Sequence, residues 1–197
     1  MKTKALSAAL GVVLSLASAV AAAGSNLVTN GDFENWSAGW TTNGMEFYSS
    51  PGIGHAGDLV ILTGCRGENC TSTLGSGAYF RQEIDTEVGS SYDLSLWLSE
   101  NATGTSELSV FWNGALVRDI VNPANDTTRT GMVQFTFSGL VAASSRTALE
   151  IHGRQDPRFM FFDDISVTKT ESVPEPSSVT IVGLGFFAML MFRRRIR

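Results

Sequence analysis

Cysteine and histidine are nearly missing from this chain, with two of each in 197 residues. Cys65 and Cys70 alone cannot make a four-ligand zinc site, and His55 and His152 lie far from them in sequence. No GxSxG elbow occurs, nor any Ser, His and Asp arrangement with the spacing of a hydrolase triad. Gly52-Ile53-Gly54-His55-Ala56-Gly57 fits GxGxxG by letter, but Pro51 precedes it and strand-like residues follow. It therefore lacks the helix N-terminus that binds a pyrophosphate and reads as a flexible loop. An internal repeat and a long segment of helical periodicity are also missing.

What is present is concentrated at the two ends. Lys2 and Lys4 precede an apolar stretch from Ala5 to about Val20, and Ala21-Ala22-Ala23 supplies the small residues of a cleavage site. Residues 1–23 thus read as an export signal. At the other end, Pro174-Glu175-Pro176 precedes an apolar segment, Val179 to Phe192, and then Arg193, Arg194, Arg195 and Arg197. Fourteen residues make a helix of about 21 Å, short of the roughly 30 Å hydrocarbon core. The arginines hold its end on the cytoplasmic side, and the prolines start it abruptly.

Between these ends lies one domain of ordinary length, residues 24–171. It holds 18 Asp and Glu against eight Lys and Arg, a net charge of −10. Nucleic acid and anionic membrane would be repelled by it, whereas divalent cations and neutral sugars would not. Cys65 and Cys70, in Gly64-Cys65-Arg66-Gly67-Glu68-Asn69-Cys70, read as a local disulfide in an oxidising compartment.

The domain's period is two. In Tyr92-Asp93-Leu94-Ser95-Leu96-Trp97-Leu98-Ser99 the apolar residues alternate with polar ones and with Trp97. Strands are predicted over 45–49, 59–62, 79–84, 107–112, 115–121, 132–137, 148–152 and 159–168 as well. Asn113-Gly114 marks a two-residue hairpin, Val88-Gly89-Ser90 a turn and residues 122–126 a loop. Many short strands at this spacing predict an all-β antiparallel sandwich. Adjacent strand residues point to opposite faces, so Asp163-Asp164 cannot be the facing carboxylate pair of a glycosidase.

Val173-Pro174-Glu175-Pro176-Ser177-Ser178, the apolar segment and the terminal arginines together resemble the PEP-CTERM sorting signal of Gram-negative bacteria. The resemblance divides residues 172–197 into a motif (173–178), a transmembrane helix (179–192) and a basic end (193–197). It implies an exosortase as partner, an inner-membrane intermediate, and delivery to the cell surface or matrix. Its reach is about 25 residues and leaves the domain unassigned.

The domain opens with Asn26-Leu27-Val28-Thr29-Asn30-Gly31-Asp32-Phe33-Glu34 and closes with Phe161-Phe162-Asp163-Asp164-Ile165-Ser166-Val167. This pairing resembles the galactose-binding-like jelly roll of many carbohydrate-binding modules. The resemblance implies a structural calcium between the first and last strands, carried over to Glu34 and Asp164 and then to Asp32. For a saccharide ligand, Trp97 is the leading stacking residue, because it sits on the polar face of its strand between Ser95 and Ser99. Trp112 and Tyr79 follow, with Trp36 and Trp40 as further aromatics. Non-catalytic binding of extracellular polysaccharide is the leading expectation. A structural or adhesive matrix protein without a saccharide site comes next, and a polysaccharide-active enzyme last.

Overall fold

The computed structural model describes residues 24–65, 78–100, 104–123 and 131–170. The export signal, Cys70 with the predicted disulfide, and the sorting tail lie outside the described residues. Ten strands form two five-stranded antiparallel sheets, and the described residues contain no helix. They are β1 (Thr41–Asn43), β2 (Glu46–Ser49), β3 (Leu59–Cys65), β4 (Tyr79–Asp85), β5 (Ser91–Glu100), β6 (Thr105–Trp112), β7 (Ala115–Val121), β8 (Val133–Val141), β9 (Arg146–Asp156) and β10 (Arg158–Lys169). One sheet runs β1-β4-β9-β6-β7 and the other β2-β3-β10-β5-β8.

Alternation explains the packing. Leu94, Leu96 and Leu98 of β5 are fully buried between the sheets, facing Phe80 and Ile84 of β4, Leu108 and Val110 of β6, and Leu149 and Ile151 of β9 in one cluster. Each such side chain contributes about 1.5–3 kcal/mol of burial. The hairpin joining β6 to β7 turns on Asn113 (φ 51°) and Gly114 (φ 79°), the left-handed pair that a type I′ turn needs. Gly89 (φ 80°) sits in the turn before β5, where Ser90 N–H donates to Glu87 O.

Two irregular segments shape the outer face of the second sheet. The opening loop is laced to the last strand: Asn26 Oδ1 accepts from Val28 and Val167, Leu27 N–H donates to Val167 O at 2.8 Å, and Ile165 N–H donates to Gly31 O at 2.8 Å. A Cβ on Gly31 would lie 2.0 Å from Ile165 O, so only glycine permits this approach. Asn30, in the left-handed region (φ 53°), ties its amide to Trp36 O and Ala38 O, and its carbonyl accepts from Trp40 Nε1. Phe33 is thereby driven to zero exposure among Trp40, Phe47 and Phe80.

The second segment is the glycine-rich stretch 50–58, which is tied down rather than free. Glu34 Oε1 accepts from the amides of Asp58 and Leu59, and Asp58 Oδ1 accepts from Gly52 N–H. Ile53 plugs a small apolar cluster with Val60 and Phe161 on the sheet's outer side. This explains why both Phe161 and Phe162 are buried although they point to opposite faces.

Candidate functional site

Trp97 stands on the outer face of β5, half-buried, as its alternation predicts. It pairs across the sheet with Asp163 of β10 and Gln134 of β8. The tied loop lays His55 against one face of its ring, with centroids 3.6 Å apart and planes 14° from parallel. His55 is fixed in turn by β10: its amide donates to Asp163 Oδ2 at 2.6 Å, and its Nδ1 meets Asp164 Oδ2 at 2.5 Å.

That both carboxylates reach one histidine corrects the strict alternation expected of Asp163-Asp164. Asp163 pairs with Trp97 and Ser166 with Ser95, so β10 carries one extra residue here, a β-bulge with Asp164 at φ 46°. The bulge turns Asp164 toward an open cleft of about 530 Å³. Ser95 and Trp97 of β5, Gln134 of β8 and Ser166 of β10 form one side of the cleft; Asn30, Gly31 and Asp32 of the opening loop form the other. Trp97 is the aromatic ring in this lining, and the rest is mostly hydroxyl, amide and carboxylate.

The remaining sequence candidates separate. Ser99 has zero exposure and its hydroxyl finds no partner among the described residues, because alternation lapses at the end of β5, where Leu98, Ser99 and Glu100 are all buried. Trp112 belongs to the core: it is 6% exposed, its Nε1 donates to Val141 O at 2.9 Å, and it packs on Tyr92. Trp40 is buried too, whereas Trp36 is 55% exposed on the opening loop. Tyr79 lies on the other sheet, beside His152, which Glu150 orients at 2.6 Å and which Phe111 flanks. On that same sheet, burial and the neighbouring Asp119 push the Glu107 carboxyl above the usual range.

Residues 172–195 match the PEP-CTERM protein-sorting motif. The tail is a PEP-CTERM sorting signal. Such a signal implies export and a membrane-anchored sorting intermediate. Three of the solved structures that share the domain's architecture are carbohydrate-binding or adhesin domains. The module TmCBM61, in complex with β-1,4-galactotriose, superposes with a TM-score of 0.56 at 15% identity, over 74% of this chain and 99% of that one. The CBM22-1 xylan-binding domain of Paenibacillus barcinonensis Xyn10C gives 0.51 at 15% identity, over 78% and 100%. The K3 adhesin domain of Lys-gingipain from Porphyromonas gingivalis gives 0.51 at 15%, over 72% and 98%. At these identities the likeness establishes the fold, the jelly roll of carbohydrate-binding modules. No curated protein matches the sequence.

The jelly roll's predicted calcium ligands are drawn to different tasks. Glu34 Oε1 is committed to two amides and Asp164 Oδ2 to His55, while Asp32 borders the cleft. Calcium needs six to eight oxygens turned to one centre. Among the described residues, no three His, Cys, Asp or Glu side chains stand together to hold a metal.

Asp163 is the most perturbed carboxyl beside this cleft. It is 1% exposed, and burial pushes its pKa up to about 6 from the ordinary 3.8, against the lowering effect of amides from Asp164, His55 and Ala56. Between those values the folded chain holds a proton that the unfolded chain releases. Stability from this group is therefore full below about pH 4 and is lost as pH rises to about 6. Thermal melts across that window should show wild type losing ground to Asp163→Asn as pH rises; parallel curves would refute the assignment.

Proposed function

We propose that the exported domain binds an extracellular polysaccharide without cleaving it, in the cleft beside Trp97. The observation that carries this reading is the cleft's make-up: one indole ring among hydroxyl, amide and carboxylate groups on a rigid sheet face. Flat aromatic surface suits the apolar face of a sugar ring, and the polar groups suit its hydroxyls. Two of the structures with this fold carry saccharide-binding descriptions, one with β-1,4-galactotriose and one as a xylan-binding domain, which supports the same reading here.

Catalysis is disfavoured by where the acids sit. Asp163, the carboxyl beside the cleft whose pKa burial raises, is closed off against loop amides and does not line the cleft that Asp32 and Asp164 border. A glycosidase needs a raised acid and an ionised partner both facing the scissile bond. The test is to incubate the exported chain with immobilised extracellular polysaccharides and measure retention and reducing ends together. Retention without new reducing ends is expected; release of sugar would overturn the non-catalytic reading.

In this reading residues 1–23 direct export, 24–171 bind, and 172–197 serve an exosortase at the inner membrane before the chain reaches the cell surface or matrix. Mass spectrometry of the mature chain reads both processing sites; an intact tail on the surface protein would remove the exosortase step. Calcium enters only if Glu34 and Asp164 exchange their amide and imidazole donors for the ion. Its mark would be a melting temperature that rises with calcium and falls back on chelation, and a temperature indifferent to both removes calcium from the reading.

The scaffold alternative draws on the sheet edges. Leu116 and Val121 on β7 and Val133 and Val141 on β8 are exposed apolar residues on terminal strands. Self-association by cross-linking, with no retention on any polysaccharide, would favour it.

A further inference from the structure

We infer that the cleft prefers saccharides bearing an amine and disfavours uronates, an inference that rests on the saccharide-binding reading above. The lining contains two carboxylates, Asp32 and Asp164, and no Lys, Arg or His. Asp32 is exposed on the opening loop and engages no other described residue in a hydrogen bond or ion pair. Asp164 spends Oδ2 on His55 Nδ1, and its second oxygen accepts no hydrogen bond from the described residues. The bulge at φ 46° presents this carboxylate to the cleft, since Asp163 before it turns into the loop.

Around the cleft, His55 is the one basic group in contact with either carboxylate: its Nδ1 meets Asp164 Oδ2 at 2.5 Å, which leaves Asp32 and the second oxygen of Asp164 without a cationic partner among the described residues. His55 faces Asp164 and Trp97 from the covering loop but is not part of the lining. Lys169, farther along β10, is paired with Glu87. The domain's net charge of −10 extends the same sign of field around the site. An ammonium group at contact distance from a partly exposed carboxylate gains enough to change affinity by about tenfold, whereas a uronate carboxylate is repelled by a similar factor. A neutral hydroxyl gains neither.

The experiment uses the chain as exported from the producing cell, in the presence of a chelator so that no metal bridges carboxylates. Isothermal titration compares three oligomers of equal length: β-1,4-linked glucosamine, its N-acetylated counterpart and β-1,4-linked glucuronate. The amine oligomer is expected to bind about tenfold more tightly than the N-acetylated one, with glucuronate weakest. In Asp32→Asn and in Asp164→Asn the ratio between the first two should fall toward one. Asparagine suits both positions, since it tolerates the left-handed backbone at residue 164. Equal affinity for all three oligomers, or a ratio unmoved in both variants, overturns the amine preference and leaves saccharide binding standing. Binding to none of the three also overturns the amine preference, and saccharide binding itself is then judged by retention on the immobilised polysaccharides.

Discussion

Phe33→Ala is expected to lower the unfolding free energy by about 3–5 kcal/mol. The ring has zero exposure and meets Trp40, Phe47 and Phe80 with centroids 5.4, 6.1 and 5.9 Å away, so its removal leaves a hole that three aromatic neighbours cannot close. Backbone strain does not enter the comparison, because φ 56° is equally unfavourable for phenylalanine and alanine. Chemical denaturation should show the midpoint falling with the slope unchanged. Trp36→Ala is the control: the same loop and a larger ring, but 55% exposed, and a change within about 0.5 kcal/mol. If the two variants behaved alike, the loop would not be anchored through Phe33.

The second large effect falls on binding. Trp97→Ala should weaken retention on the cognate polysaccharide by roughly 30-fold, the value of a central aromatic contact of about 2 kcal/mol. Trp97 supplies the indole of the cleft, and His55 braces one of its faces. His55→Ala should produce a smaller loss, since it frees the ring to move without deleting it. Calorimetry on both variants separates these effects, and melting curves confirm that the fold persists. An unaltered affinity in Trp97→Ala would place the ligand elsewhere on the sandwich.

Much of the architecture is legible because alternation is a local signal. The predicted strand over 115–121 coincides with β7, and eight others fall within or overlap observed strands. β1 escapes: Thr41-Thr42-Asn43 is too short and polar to alternate, and it exists only because it pairs with Tyr79, Phe80 and Arg81. The site is legible in part. Trp97 and Ser95 follow from one strand's periodicity, but Ser99 does not, because the outward rhythm of β5 stops at its end.

His55 and Gln134 were hidden for a different reason. His55 sits in a glycine-rich stretch with the composition of a free loop, and what fixes it are Glu34, 24 residues away from Asp58, and Asp163, 108 away from His55. Gln134 reaches the cleft through the pairing of β8 with β5, which no single segment announces. The bulge at Asp164 is likewise a product of the opening loop meeting the last strand. Trp112 and Tyr79 show the converse error: aromatic side chains beside polar residues look alike in sequence whether they close a core or stand on the opposite sheet.

The central place of β10 has a mechanical consequence. Its first half is flanked by β3 and β5, and its second by β5 and the segment around Leu27. Tension applied beyond Thr170 would run along the strand and load both rows of hydrogen bonds in parallel. A strand at the rim would instead peel away bond by bond. Hung from its C-terminal end, the domain would hold like a rivet in shear and would yield abruptly.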